Sequence, residues 1–520
     1  MKEYIVVLKP DVDYGQFWSE IESTSAVPHI PDRPVDIAND QKYIDRLCNY
    51  YLSDEEAEQL RNDDRVLDVE DLSEKQIGHY SNLSSVSFAK TSSSTGAVGN
   101  WGLKRCNSAT NNYSTSTADP GGGYNYTLDG TGVDVVITDS GIQPTHPEFL
   151  AADGTPTRLK QIDWYSESSV TGVQNANHYR DYGGHGTHVA GIVAGSTFGW
   201  AKNANIYAIK IQGLEGTGDS GTGIPISDLY NVIIGWHNRK TPDPVTGLTR
   251  PTIVNMSWGF YQTWTSSTGG NYRGTPWTNT AKQTAYGMVF SSSNTFGVRY
   301  SSQDASIDAM IAAGIHVCIA AGNSGTKIDV VGGVDYNNYY TDGGGSTVYY
   351  HRGSSPYSDN AFMVGAVNQT AYSATLDQRA FFSCSGPGVN IWAPGYFQMS
   401  ACSALSSDLT GYSPATYFAN SSYKQCSVAG TSQASPQVCG AAALMLQLNP
   451  RLTPAQLKTA MLGNATATLR DTGLNNDYTS GNSLMGSANK MLYNKFNAGS
   501  ESLLPNNTLS VSGTLTLKLS

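Results

Sequence analysis

No run of 18 apolar residues occurs in the chain, so a membrane-spanning helix is not expected. Positive charge is scarce: 32 Lys and Arg stand against 43 Asp and Glu, for a net charge of −11. That leaves no general counter-charge for a phosphate backbone, so neither nucleic acid nor a membrane is an expected partner. Charged residues of both signs make up only 14% of the chain, against a usual share of about 25%. The seven cysteines, at 48, 106, 318, 384, 402, 426 and 439, form no CxxC and no Cys/His pair with zinc spacing. Such a scattered, odd set reads as buried small apolar side chains. A Cys402–Cys426 bridge would close an insertion in an oxidising compartment. The opening stretch MKEYIVVLKPDVDYG has an apolar segment only from Tyr4 to Leu8, cut short by Lys9 and Pro10, which makes a poor secretory signal. Composition leaves the compartment open.

What is present is glycine (54 residues) and enough apolar residues (39%) to bury a sizeable core. Residues 1–78 hold most of the charge runs. Tyr4-Ile5-Val6-Val7-Leu8 reads as a strand. Ser53-Asp54-Glu55-Glu56 reads as a capping box opening a helix over 54–62, and 65–70 alternates as a half-buried strand. Residues 79–100 are Ser-rich and nearly uncharged, the composition of a flexible linker. From 101 to 465, short apolar runs (133–137, 206–211, 252–256 and 315–321) alternate with helical patterns. That alternation predicts a mostly parallel sheet in an α/β domain, with a site beyond the carboxyl ends of its strands. Residues 466–520 are polar until Leu509, Val511, Leu515, Leu517 and Leu519, whose period of two predicts a terminal strand that packs either on the main domain, the favoured reading, or on another chain.

Three glycine-flanked motifs carry the groups of a nucleophilic triad. They are Asp139-Ser140-Gly141-Ile142 after the first apolar run, His185-Gly186-Thr187-His188-Val189-Ala190-Gly191, and Gly430-Thr431-Ser432-Gln433-Ala434-Ser435-Pro436 at the start of a long apolar helix. A serine hydroxyl is a weak nucleophile and needs an adjacent base. An imidazole can take and return its proton, and a carboxylate can hold the ring in one tautomer. A developing oxyanion needs donors already aimed at it. Ser432 at a helix start has free amides beside it, and Asn323 in Ala320-Ala321-Gly322-Asn323-Ser324-Gly325 offers a side-chain amide. Taken singly, each residue is better explained as a turn or cap residue. Their joint occurrence, in the order Asp, His, Ser, is what points to catalysis. Gly218-Asp219-Ser220-Gly221 resembles the nucleophile motif of all-β proteases, but the α/β pattern argues against that class. No G-x-S-x-G elbow is present.

With these motifs, and with Asn255-Met256-Ser257-Trp258-Gly259, the chain resembles the subtilase family of serine proteases; His146-Pro147-Glu148-Phe149 and Asn100-Trp101-Gly102-Leu103 are most similar to its proteinase K branch. Residues 1–78 resemble that family's inhibitory propeptide. The resemblance implies a three-layer α/β sandwich with a mostly parallel sheet, preceded by a small α+β, ferredoxin-like propeptide. It implies Ser432 as nucleophile, His185 as base, Asp139 as orienting carboxylate and Asn323 in the oxyanion hole, with His188 structural. Ser257, Trp258 and Gly259 would bind substrate on one side. Gly221, Thr222 and Gly223 would face them, with Gly216-Thr217-Gly218 competing for that role. The implied reaction is endopeptidase hydrolysis through an acyl-enzyme, with no cofactor for chemistry. Structural calcium is an expectation without an assigned ligand set. The implied partners are protein or peptide substrates and the chain's own propeptide, released by cleavage within 79–100. The competing reading is a catalytically idle subtilase fold used as a structural or binding module. The chain departs from the family pattern in insertions near 260–300, 328–358 and 396–427, in Gln433 and Gln437, and in Trp258, bulkier than the usual leucine, which is expected either to narrow the pocket wall or only to repack.

Overall fold

The capping box at Ser53 forms as its sequence implies: the Glu56 amide donates to Ser53 Oγ (3.2 Å) and the Ser53 amide donates to the Glu56 carboxylate (2.8 Å). It opens one of two helices in a small N-terminal unit of a computed structural model. That model describes residues 1–24, 27–41, 43–71, 77–79, 101–111, 126, 128–168, 171–174, 180–211, 223–244, 247–290, 294–405 and 414–494. The unit runs β1 (Lys2–Leu8), α1 (Tyr14–Ile21), β2 (Ile37–Asp40), β3 (Leu47–Leu52), α2 (Asp54–Arg61), β4 (Val66–Asp71). Its strands are antiparallel in the order β2-β3-β1-β4, the βαββαβ ferredoxin-like arrangement. The period of two in β1 gives the sheet two apolar faces. Tyr4, Val6 and Leu8 pack on Phe17, Ile21 and Leu60 within the unit, whereas Ile5 and Val7 join the core of the larger domain.

The chain continues through β5 (Ile77–His79) and α3 (Trp101–Cys106) into β6 (Asp134–Asp139), β7 (Leu159–Gln161), α4 (Trp164–Glu167), α5 (His185–Ala194), β8 (Asn205–Lys210) and α6 (Ile226–Asn238). Then come β9 (Thr252–Met256), β10 (Trp258–Thr263), β11 (Gly269–Tyr272), β12 (Thr275–Trp277), β13 (Thr295–Gly297), α7 (Ser301–Ala312) and β14 (His316–Ala320). The last elements are β15 (Tyr339–Thr341), β16 (Thr347–Tyr349), β17 (Phe362–Val367), β18 (Ile391–Pro394), β19 (Gln398–Cys402), β20 (Ala415–Thr416), β21 (Lys424–Val428), α8 (Thr431–Leu448) and α9 (Pro454–Asn464).

Seven strands form one parallel sheet in the order β18-β17-β14-β9-β6-β8-β7. The four apolar runs of the sequence are its β6, β8, β9 and β14. They are buried on both faces, which is why they read as continuous rather than alternating. β7, β17 and β18 are the strands that pattern reasoning did not separate from loops. α8 is buried from Thr431 to Leu446 and packs against β9, β14, β17 and β18 on one side and α5 on the other. Its even burial erases the helical stripe that an amphipathic helix shows.

The N-terminal unit sits on α6 and α7. The Glu70 carboxylate accepts from the Ser302 amide (2.6 Å) and from its hydroxyl, at the first turn of α7, where the helix dipole favours an anion. Asn39 Nδ2 donates to Asp228 (2.8 Å), and the Tyr43 amide donates to Asn231 Oδ1 (3.1 Å).

The insertions near 260–300 and 328–358 combine. They supply a four-stranded sheet in the order β12-β11-β15-β16, over a separate aromatic core that includes Trp277, Phe290, Phe296, Tyr340 and Tyr350. The insertion at 396–427 forms the β19-β21-β20 sheet and packs on α5. All seven cysteines are free and buried, Cys402 and Cys426 sharing a small apolar cluster with Val428. Residues 466–494 return across the main domain, Met491 bridging to Trp392 and Thr466. The expected terminal strand over 509–519 lies outside the described residues. Among the described residues no helix is long and apolar enough to cross a membrane, and no group of three or more His, Cys, Asp or Glu gathers as a metal site; the calcium expected from the family resemblance has no ligand set there.

A buried ion pair ties this returning segment to the start of the domain. Arg105 Nε and Nη2 donate to the two Asp377 carboxylate oxygens (2.9 and 2.5 Å), and Nη2 also donates to Thr468 Oγ1 (2.9 Å). Arg105→Ala leaves the Asp377 carboxylate buried without its counter-charge. Urea denaturation should show a loss of about 3–5 kcal/mol.

Candidate active site

The order of the sheet assembles the site. β14, β9 and β6 are neighbours at its centre, and their carboxyl ends lead to Asn323, Ser257 and Asp139 respectively. α5 begins at His185 and α8 begins at Thr431, and the two helices pack together. Loops from distant parts of the chain therefore meet at one pole, where ligands of parallel sheets bind.

Asp139 and His185 are paired. Imidazole Nδ1 lies 2.8 and 3.0 Å from the two carboxylate oxygens, with both residues buried. The Ser140 amide donates to Asp139 Oδ1 (2.8 Å) and helps to fix the carboxylate. Burial pushes the His185 pKa down to about 4, favouring the neutral ring that a general base requires. The pair depends on a glycine. A Cβ on Gly186 would lie 2.1 Å from the Gly141 carbonyl oxygen and 3.0 Å from Asp139 Cβ. Gly184, with φ +85°, makes the left-handed step before α5.

Asp181 holds this corner together, and nothing in its sequence context singled it out. Its carboxylate accepts from Ser140 Oγ (2.8 Å), the Gly184 amide (2.5 Å), the Thr187 amide (2.8 Å) and Thr187 Oγ1 (2.5 Å). It thereby ties the turn after β6 to the first turn of α5. Burial raises its pKa while these four donors oppose the rise. His188 sits in a structural position, as the resemblance implies. Its Nε2 lies 3.0 and 3.1 Å from the Gln398 and Cys426 carbonyl oxygens, which anchors the third insertion to α5.

Ser432 lies in the first turn of α8, fully buried. Pro436 has no amide hydrogen, so the helix cannot use the carbonyl of Ser432, four residues earlier. Ser257 Oγ donates to that carbonyl instead (2.9 Å), and Asn255 Nδ2 donates to Ser257 Oγ (2.8 Å). The Ser432 hydroxyl is turned to the Ser257 carbonyl (2.8 Å) in this structure. Asn323 Oδ1 accepts from the Thr431 amide and from Thr431 Oγ1 (both 2.9 Å). Its Nδ2 is buried with no hydrogen-bond partner among the described residues. Thr431, whose role the motif alone did not reveal, thus fixes which end of the Asn323 amide faces the space beside Ser432. A buried donor left open in this way is costly and calls for an acceptor.

The substrate-side residues divide. Trp258 and Gly259 lie in β10, which pairs antiparallel with β5: Trp258 with His79, Gly259 with Gly78, Phe260 with Ile77. The Trp258 indole points away into the core, its Nε1 donating to Thr138 Oγ1 (3.1 Å). Of the two expectations for Trp258, the structure supports repacking. Gly223 is buried beside β8. Gly221 and Thr222, and the competing Gly216-Thr217-Gly218, lie outside the described residues.

The subtilase family profile matches residues 130–481, more than half the chain. An extracellular serine proteinase of Thermus sp. (strain Rt41A) is 27% identical over 415 residues, covering 80% of this chain and 70% of the relative. Alkaline serine exoprotease A of Vibrio alginolyticus is 26% identical over 447 residues, covering 85% and 57%. Among solved structures, fervidolysin from Fervidobacterium pennivorans, described as a keratinolytic enzyme related to subtilisin, superposes with a TM-score of 0.52 at 17% identity, over 95% of this chain and 60% of that one. That likeness bears on the fold alone. The chain thus spans only part of these relatives' length. The extent of the profile match, which includes all of the site just described, shows that the chain belongs to the subtilase family of serine proteases.

Proposed function

We propose that the chain is a serine endopeptidase that hydrolyses peptide bonds through an acyl-enzyme and is made as a self-processing zymogen. The observation that carries this reading is the buried Asp139–His185 pair, 2.8 Å apart, at the pole that also holds Ser432. In the proposed mechanism the Ser432 hydroxyl swings from the Ser257 carbonyl towards His185. It then attacks the scissile carbonyl carbon as the imidazole takes its proton, and Asp139 stabilises the resulting imidazolium. Negative charge collects on the former carbonyl oxygen, where Asn323 Nδ2 and the Ser432 amide donate to it. The imidazolium then gives its proton to the leaving amine. Water, deprotonated by the same ring, attacks the acyl carbon; the bond to Ser432 Oγ breaks as the imidazolium returns its proton to that oxygen, which releases the carboxylic acid product and regenerates the enzyme.

Antiparallel pairing along β10 is the expected mode of substrate binding. β5 occupies that edge in the present chain and runs towards Ser257. Cleavage is expected within 79–100, of which 80–100 lies outside the described residues. The β5 register narrows the proposal to the first residues after His79.

Three measurements test the reading. Ser432→Ala or His185→Ala should lower kcat by about 10⁶-fold, the size such losses have in subtilisin, and Ser432→Ala should abolish labelling by a fluorophosphonate probe. A matured wild-type chain that fails to label supports the idle binding module instead. Asn323→Ala should lower kcat by about 10²–10³-fold with little change in KM, again the size of that loss in subtilisin; Thr431→Val should move kcat in the same direction by a smaller factor, because it acts only by orienting Asn323. Intact-mass analysis of the active enzyme should show a new N-terminus between Tyr80 and Asn82, absent from Ser432→Ala. An active enzyme retaining full-length mass defeats the processing proposal and leaves the peptidase reading standing.

A further inference from the structure

At the opposite pole of the sheet lies a pocket of about 430 Å³ unrelated to the catalytic residues. It is lined by His237 and Lys240 from the end of α6, Arg250 before β9, His316 at the start of β14, and Arg451 between α8 and α9. β9 and β14 are each five residues long. About 17 Å of strand, at roughly 3.3 Å per residue, therefore separates this pocket from Ser257 and the Asn323 loop.

The charge here runs against that of the chain. The protein carries −11 overall, yet three cations line this one pocket. The facing carboxylate is Asp134, which is taken up by Lys240 at 2.7 Å. Lys240 is otherwise committed: it also donates to the Arg250 carbonyl (3.2 Å) and Thr252 Oγ1 (2.5 Å). Arg250 and Arg451 are different. Both are exposed, and neither guanidinium takes part in an ion pair or hydrogen bond among the described residues. Two planar forks of donors thus converge on one cavity without acceptors.

The second observation is at the pocket wall. His316 is 2% exposed, and its Nδ1 is buried with no hydrogen-bond partner among the described residues. Burial, with His237 alongside, lowers its pKa to about 4, so the pocket's positive charge comes from the arginines and Lys240 while the neutral ring offers one donor and one acceptor nitrogen. An orphaned buried imidazole nitrogen is costly and is relieved by a ligand group reaching it. α9 starts at the same pocket through Thr453 and Pro454, adding the positive end of its dipole.

We infer that this pocket is a binding site for a small multivalent oxyanion, an inorganic phosphate or a polycarboxylate, gripped by Arg250 and Arg451 and seated against His316. The site is independent of the peptidase reading, because no residue of it belongs to the catalytic pole.

The test uses full-length Ser432→Ala protein, which does not digest itself. It is titrated calorimetrically with sodium phosphate and, separately, with sodium citrate, in chloride at matched ionic strength. Thermal unfolding is followed in the same solutions. Saturable one-to-one binding and a Tm that rises with ligand concentration above the chloride control are expected. Arg250→Gln/Arg451→Gln, at two exposed positions, should bind at least about tenfold more weakly with an unchanged Tm in chloride. A response to phosphate alone assigns a tetrahedral oxyanion, and one to citrate alone assigns a polycarboxylate; either supports the site. Absence of saturable binding by both anions, or undiminished binding by the double variant, overturns it. If the double variant loses stability in chloride, Arg451→Gln alone makes the comparison on the same two criteria.

Discussion

A helix that starts inside the protein must have its first-turn polar groups satisfied by something other than water. The buried start of α8 is that constraint here, and the rest of the site is arranged around it. Pro436 removes an amide that would have bonded the Ser432 carbonyl, and Ser257 takes that carbonyl instead. Asn323 accepts from Thr431, and Asn255 supports both Ser257 and Ser435. The carboxyl ends of β9 and β14 are thereby stitched to the helix that carries Ser432. β6, on the other side of β9, brings Asp139 to the same level. The serine is held rigidly because each neighbour that fixes it is itself fixed by a second bond.

The histidine side is held by a different device. Asp181 gathers the turn after β6 and the first turn of α5 around one buried carboxylate. Gly186 allows the closest approach between them. The third insertion then covers the outer side of α5 through His188, Gln398 and Cys426. Removing the imidazole from water in this way strengthens its interaction with Asp139 and keeps the ring neutral.

The insertions that set this chain apart from compact members of its family are built as structure in their own right. Two of them, separated in sequence by α7 and β14, share one small sheet and one aromatic core. Asp335 joins them, pairing with Arg273 from one insertion (2.6 Å) and Lys327 beside the other (2.8 Å); these partners, acting against the burial that would raise it, hold its carboxyl well below the usual range. The N-terminal unit follows a similar economy, spending one face of its sheet on its own helices and the other on α6 and α7.

Much of this was open to inspection in the sequence alone. Val133–Ile137, Ile206–Ile211, Thr252–Met256 and Ile315–Ala321 announce the buried central strands, because a strand covered on both faces needs unbroken apolar character. Asp139, His185, Ser432 and Asn323 could be named because each sits in a short motif whose residue types have a chemical purpose, and Ser53 with Glu56 announces a cap that is wholly local. Tertiary structure alone decided what depended on partners far away in the chain: that Trp258 turns inward to Thr138, that Thr431 orients Asn323, that Asp181 closes on Ser140 in the turn after β6, and that His316, Arg250 and Arg451 share a pocket. The physical reason is the same for each. A local motif is specified by backbone hydrogen bonds within a few residues, whereas the role of a buried polar side chain is set by whichever distant group satisfies it.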